Sequence, residues 1–113
     1  MGIIFVEYRI DEQKREDFLP FIHSLAEGAP MELYEGSDQP GLFVEIWRGL
    51  SEEDYLCMKE ARTGEAADEA SDSQEDEVDR EGANGLFFRR WYPVANYVQG
   101  GAGRIHIWRF VKV

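Results

Sequence analysis

The stretch MELYEGSDQPGLFVEIW, residues 31–47, predicts a β-hairpin in the middle of the chain. Residues 31–35 and 42–47 are rich in apolar and strand-forming side chains, and the GSDQPG between them is dense in turn formers. A strand and a helix are predicted before this hairpin, and a helix and a strand after it. The resulting order, βαββαβ, is typical of a ferredoxin-like α+β fold with a four-stranded antiparallel sheet.

The first strand is predicted from its periodicity, and the first helix from the residues at its two ends. Residues 3–10, IIFVEYRI, alternate with a period of two, which is the pattern of a strand. Asp11 is a suitable N-cap for the helix that follows, and Gly28 is a suitable terminator. Because Pro20 lies inside this helix, we expect a kink there or a helix that restarts near Phe18.

The second half of the chain begins with the clearest helix start. Ser51 precedes three acidic residues, which predicts a cap and a helix over residues 51–62 that stops at Gly64. Residues 104–113 predict the last strand. A short amphipathic helix before that strand, interrupted near Pro93, is predicted from apolar residues at spacings of four, three and four: Phe87, Trp91, Val94 and Val98.

Length and charge restrict the class of protein. The 113 residues suit a single domain over 1–113, and the formal net charge is -11. Residues 65–81 hold 9 acids and 1 base, which predicts a flexible acidic insertion, whereas residues 82–113 hold 5 bases and no acid. The negative total disfavours nucleic acid and anionic membranes as partners. With Cys57 as the only cysteine and no signal-like or membrane-spanning apolar run, we expect a cytoplasmic protein.

The two faces of the predicted sheet differ in what can cover them. Helices can cover one face, and for that face we expect Ile4, Val6, Tyr8, Leu42, Val44, Ile46, Ile105 and Ile107. The opposite face is then expected to display Ile3, Phe5, Phe43, Trp47, His106, Trp108 and Phe110. An aromatic patch of this size exceeds what a monomer usually leaves exposed, so a second copy of the same sheet is the simplest cover. The sequence therefore predicts a homodimer.

A family resemblance follows from these features. The element order, the aromatic second face and the terminal RIHIWRF, residues 104–110, after a glycine-rich turn resemble the dimeric α+β barrel superfamily. That superfamily includes the antibiotic-biosynthesis-monooxygenase-like domains, the haem-degrading monooxygenases and many small members of no established activity. The resemblance implies face-to-face pairing of two sheets and a small-ligand cavity between helices and sheet. Haem-degrading members use an Asn on the first strand, which residues 3–10 lack, so we expect no cofactor.

Two groups of residues are candidates for a site. Glu7, Glu45 and His106 could lie together on the face away from the helices, where two carboxylates and an imidazole would suit acid-base chemistry or a divalent metal. The alternative is that both carboxylates pair with Arg9, Arg48 or Arg109 across strands or across the dimer, and in that case no metal is expected.

Aromatic side chains form the second group. Tyr8, Trp47 and Trp108 could line a pocket for a flat aromatic ligand, or they could be ordinary packing residues. The leading hypothesis is a homodimer that binds a small ligand without catalysis. The alternatives are a cofactor-independent monooxygenase acting on an aromatic substrate, and a structural interaction module.

Overall fold

The fold is a ferredoxin-like α+β arrangement, as the hairpin and its flanking elements predict. A computed structural model describes residues 2–64, 85 and 87–113. The helices and strands within them are, in chain order, β1 (Gly2–Arg9), α1 (Arg15–Ala26), β2 (Met31–Glu35), β3 (Leu42–Arg48), α2 (Glu52–Thr63) and β4 (His106–Val111). The strands form one antiparallel sheet in the order β2-β3-β1-β4. The predicted acidic insertion at 65–81 lies outside the described residues.

The first helix begins in two steps. Asp11 acts as an N-cap, but of a 3-10 turn over Glu12–Lys14, and its side chain accepts the backbone N–H of Gln13 at 3.0 Å. α1 then runs without interruption through Pro20 to Ala26, so the restart expected near Phe18 is not found. Gly28 follows the helix with a φ of 80°, a left-handed conformation that glycine adopts without strain.

The second helix has the predicted start and stop. The Ser51 hydroxyl accepts the backbone N–H of Asp54, and the Asp54 carboxylate accepts the backbone N–H of Ser51, at 3.1 and 3.0 Å. Gly64 ends the helix in a left-handed conformation with a φ of 69°. The two contacts between Ser51 and Asp54 form a capping box, which satisfies two otherwise unpaired backbone donors at once. α2 is thereby held in position at its first turn.

Replacing Ser51 with alanine is expected to lower the free energy of unfolding by about 1 kcal/mol, because an N-cap hydroxyl is lost. Urea unfolding followed by circular dichroism measures this difference. Ser24 is a matched control, since it is exposed in the last turn of α1 and caps no helix start. Its replacement by alanine should change the free energy by only a few tenths of a kcal/mol. Equal effects of the two substitutions would contradict the capping assignment.

The chain before the last strand is a broken helix, as predicted. Residues 87–89 are helical, and a 3-10 turn over Tyr92–Asn96 contains Pro93 in its first turn. A second 3-10 turn over Ala102–Arg104 occupies the positions at which the last strand was expected to begin. β4 therefore begins at His106, two residues later than predicted.

The sheet has one face covered by helices, the inner face, and one opposite it, the outer face. Both helices contribute to the inner face, since Phe18 of α1 contacts Tyr8 and Arg62 of α2 contacts Glu45. The buried strand residues on the inner face are Ile4, Val6, Tyr8, Phe43, Glu45, Trp47 and Ile107. The outer face carries Ile3, Phe5, Glu7, Arg9, Glu32, Tyr34, Leu42, Val44, Ile46, Arg48, His106, Trp108 and Phe110.

The faces expected for β1 and β4 are confirmed, but the face expected for β3 is wrong. Ile4 pairs with Trp47 and Tyr8 pairs with Phe43, so Phe43 and Trp47 point to the inner face with those β1 residues. Leu42, Val44 and Ile46, expected inside, lie on the outer face and are only half-buried. The prediction failed because both faces of β3 are largely apolar. The charge of Glu45 made its face, which also carries Phe43 and Trp47, resemble the exposed face of the strand.

Candidate functional site

A group of buried side chains that are joined by hydrogen bonds lies between the sheet and α2. We call it the Glu45 cluster: Tyr8 from β1, Glu45 and Trp47 from β3, and Arg62 from the last turn of α2. None of these side chains is more than 1% exposed. Tyr8, Glu45 and Trp47 share the inner face because of the β1–β3 register, and Arg62 reaches them from above the sheet. The cluster therefore joins β1, β3 and α2.

The Glu45 carboxylate accepts four hydrogen bonds. Arg62 binds it with both terminal nitrogens, Nη1 to Oε1 at 2.6 Å and Nη2 to Oε2 at 2.9 Å. The indole Nε1 of Trp47 donates to Oε1 at 2.8 Å, and the hydroxyl of Tyr8 donates to Oε2. A carboxylate has about four lone-pair positions, so its acceptor capacity is filled by protein groups.

Aromatic rings enclose the guanidinium of Arg62. Its Cζ lies 5.1 Å from the centroid of the Trp91 ring and 5.9 Å from that of Tyr8, distances typical of cation–π contact. Trp91 in turn packs edge-on against Trp47, with ring centroids 5.0 Å apart. Within the described part of the chain, Arg62 Nε and Trp91 Nε1 are buried donors without a hydrogen-bond partner.

This bonding favours a structural role over acid-base catalysis. A general base needs a free lone pair within reach of a substrate proton, and a metal ligand needs one directed at the ion. Both oxygens of Glu45 are already occupied, and the hydroxyl of Tyr8 is already donating. Because a buried charge is costly unless it is paired and hydrogen-bonded, the cluster holds α2 on the sheet by satisfying one carboxylate completely.

The electrostatics of the cluster keep Tyr8 protonated. Burial raises the pKa of the Tyr8 phenol well above its usual value, and the negative charge of Glu45 raises it further, although Arg62 opposes this. Burial alone would lower the pKa of the Arg62 guanidinium, but the carboxylate of Glu45 outweighs that effect and the pKa is raised. Tyr8 therefore stays a neutral donor and Arg62 a cation.

An alkaline titration of the folded protein is expected to leave the Tyr8 phenol un-ionised until the protein unfolds. The folded pKa of Tyr8 is raised above its unfolded value of about 10, so its stabilising contribution is complete below that pH and is lost as the pH rises further. Phenolate absorbance, followed beside circular dichroism, measures this. Tyr8→Phe should remove the ionisation step that accompanies unfolding. The absence of any such step in the native chain would contradict the prediction.

The structure separates the residues that the two site hypotheses grouped. Glu7 and His106 are direct cross-strand partners on the outer face, but Glu45 lies on the inner face. The expected pairing of Glu45 with Arg9, Arg48 or Arg109 is wrong, because Arg62 is its partner. No group of three or more His, Cys, Asp or Glu side chains in the described ranges could hold a metal ion.

The three aromatic candidates are also divided between the faces. Tyr8 and Trp47 meet at Glu45 on the inner face, whereas Trp108 lies on the outer face and is 42% exposed. Its ring contacts Phe5, with centroids 5.8 Å apart, and stacks against His106 at 5.7 Å. One pocket lined by all three residues is therefore not formed within this protomer.

Arg62 was not among the residues predicted for a site, although the sequence contained a sign of its role. It follows Met58 by four residues and Tyr55 by seven, so it occupies the apolar side of α2. Met58 and Arg62 are both fully buried. A cation at a core position requires a buried carboxylate nearby, and Glu45, alone among apolar residues of a strand, was the matching anion.

A scan of family models, curated proteins and solved structures gives no match to this chain. The resemblance to the dimeric α+β barrel superfamily therefore stays a prediction beyond the shared α+β topology. Among the described residues, no helix has the length and apolar character needed to cross a bilayer.

Proposed function

We propose that this chain is a homodimeric protein of the dimeric α+β barrel type, in which two copies pair through their outer faces. The observation that carries this proposal is the apolar character of that face. Phe5, Val44 and Ile46 on the two central strands are continuous with Trp108 and Phe110 on β4, which are 42% and 51% exposed. Large contiguous apolar patches on protein surfaces mark interaction sites.

Charge balance supports a second copy as the partner. Glu7 and Glu32 on the outer face are matched by Arg9 and Arg48, so the strand residues of this face carry no net charge, although the chain carries -11. An isologous interface places the same surface against itself, which an acidic or basic face would oppose through like-charge repulsion. A neutral apolar face is complementary to itself.

The Glu45 cluster supports a function carried by surfaces. The Tyr8 hydroxyl and the Trp47 indole both donate to Glu45 inside the core, so neither offers a proton to a substrate without breaking a buried bond. This weakens the alternative of a cofactor-independent monooxygenase that uses Tyr8 or Trp47. A rigid protomer that presents a sheet for pairing and surface grooves for ligands is the arrangement that these contacts favour.

Sedimentation of the full chain tests the proposed assembly. We expect a species of twice the 13.1 kDa protomer mass at micromolar concentrations and physiological salt, with a dissociation constant on the order of 1 µM or tighter. Little dependence on salt is expected, since the paired face is apolar at its centre. A species of protomer mass alone, up to about 100 µM, would overturn the homodimer.

A further inference from the structure

An open groove lies at the margin of the outer face, where β1 begins and where β3 and β4 end. Its volume is about 370 Å³, within the range of small-molecule sites. Ile3, Phe110 and Val111 supply apolar walls, and Arg48 and Lys112 supply the charged ones. Phe110 and Val111 are among the more exposed apolar side chains of the described chain. The groove therefore combines a water-exposed apolar surface with two basic side chains, of which Arg48 is also paired with Glu32.

The charge of the groove is opposite to that of the chain. Both of its charged lining residues are basic, and its remaining lining residues are glycines and apolar residues. The formal net charge of the chain is -11, so a local pair of cations without a lining carboxylate is a distinct electrostatic feature. Such a site attracts an anion and disfavours a cation of the same size.

Arg48 is free to turn toward a ligand. Its ion pair with Glu32 has an N–O distance of 3.5 Å, and the two side chains are 64% and 52% exposed. Exposed pairs of this length contribute little to stability, so exchanging Glu32 for a ligand carboxylate has a small cost. A planar guanidinium also matches a carboxylate with two parallel hydrogen bonds.

We propose that this groove binds a small molecule that has a carboxylate attached to an apolar chain or ring. The carboxylate lies between Arg48 and Lys112, and the apolar body covers Ile3, Phe110 and Val111. Charge complementarity selects the anion, and removal of apolar surface from water supplies affinity. Ile3, Arg48 and Phe110 also belong to the outer face, so the ligand and a second copy share these residues, and binding is expected to compete with the proposed pairing.

Titration of the native chain with decanoate, followed by two-dimensional ¹H–¹⁵N NMR, tests this assignment. We expect saturable binding with a dissociation constant on the order of 100 µM to 1 mM. The backbone amides of Gly49, Val111 and Lys112 should shift, whereas those of Gly101 and Gly103, near the start of β4, should not. Decanol and decylammonium should bind at least about tenfold more weakly, because they lack the negative charge.

Two variants separate the charge from the fold. The double variant Arg48→Gln/Lys112→Gln should weaken decanoate binding by about tenfold while leaving the melting temperature unchanged, since both side chains extend from the surface. Arg104→Gln removes one positive charge from the 3-10 turn before β4, at the opposite end of that strand from the groove, and should leave binding unchanged.

Three results would overturn the proposal: no saturable shift, shifts confined to other regions, or equal binding of decanoate and decanol by the native chain. Sedimentation of the same samples keeps this test apart from that of the dimer. A native chain that is monomeric and binds decanoate contradicts only the assembly. A monomeric sample, such as Trp108→Glu, that shows no saturable shift contradicts only the groove.

Discussion

Replacing Arg62 with methionine should lower the free energy of unfolding by about 3–5 kcal/mol, because the change leaves the Glu45 carboxylate buried without its cation. Methionine fills most of the volume of the arginine stem, so the loss measures the charge pair more than a cavity. The side chains of both partners are fully buried, and Arg62 accounts for two of the four hydrogen bonds that Glu45 accepts. Urea unfolding at neutral pH, followed by circular dichroism, gives the difference.

A second variant distinguishes an unpaired charge from simple loss of packing. Glu45→Gln/Arg62→Met removes both charges but keeps an amide oxygen that can accept from Tyr8 or Trp47. We expect this double variant to be more stable than Arg62→Met alone, with a coupling energy of about 2 kcal/mol. If Arg62→Met costs less than about 1 kcal/mol, the cluster does not hold α2 on the sheet as described.

Trp108→Glu is expected to dissociate the proposed homodimer. Trp108 projects from the outer face, and its ring packs against Phe5 at the centre of that face. A tryptophan buried in an interface contributes about 2 kcal/mol or more. Two-fold symmetry introduces the change twice, so the dissociation constant should rise roughly a thousandfold. Sedimentation equilibrium over a concentration series measures the shift.

Leu56→Glu is the matched control for this substitution. Leu56 is 43% exposed, and Trp108 is 42% exposed. Leu56 lies on α2 and therefore on the opposite side of the sheet. Its replacement should leave the oligomeric state unchanged. If both variants remain dimeric with unaltered dissociation constants, the two-fold interface does not involve the outer face. If both variants become monomeric, the added negative charge, and not the position of the substitution, would explain the result.

Local patterns were sufficient to predict most of the architecture. The turn formers of residues 36–41 and the apolar runs on either side of them predicted β2 and β3, and Ser51 with three acids predicted the start of α2. Both depend on contacts between residues close in sequence. The sheet order then follows from the βαββαβ sequence of elements, because few sheet topologies join such a series through short loops.

The candidate site could not be predicted in the same way, because it depends on contacts between distant residues. Tyr8 and Trp47 were selected as candidates for a ligand pocket, but Trp47 and their common partner Glu45 were both assigned to the face opposite Tyr8. In β3 a charged residue alternates with apolar ones, and alternation alone places it in water. Only the presence of Arg62, 17 residues later, makes its burial possible, and helix α2 must be positioned before that pairing is visible.

Two segments that are far apart in the sequence, the last turn of α2 and residues 87–88, pack around one indole ring, that of Trp47. In the first segment, Arg62 is bonded to the same Glu45 oxygen as the Trp47 indole, two residues before the chain reaches Gly64. In the second, the rings of Phe87 and Phe88 pack edge-on against Trp47, with centroids 6.4 and 5.9 Å away. Trp47 therefore anchors the end of α2 and residues 87–88 to the same point of β3, so its loss would remove the support of both at once.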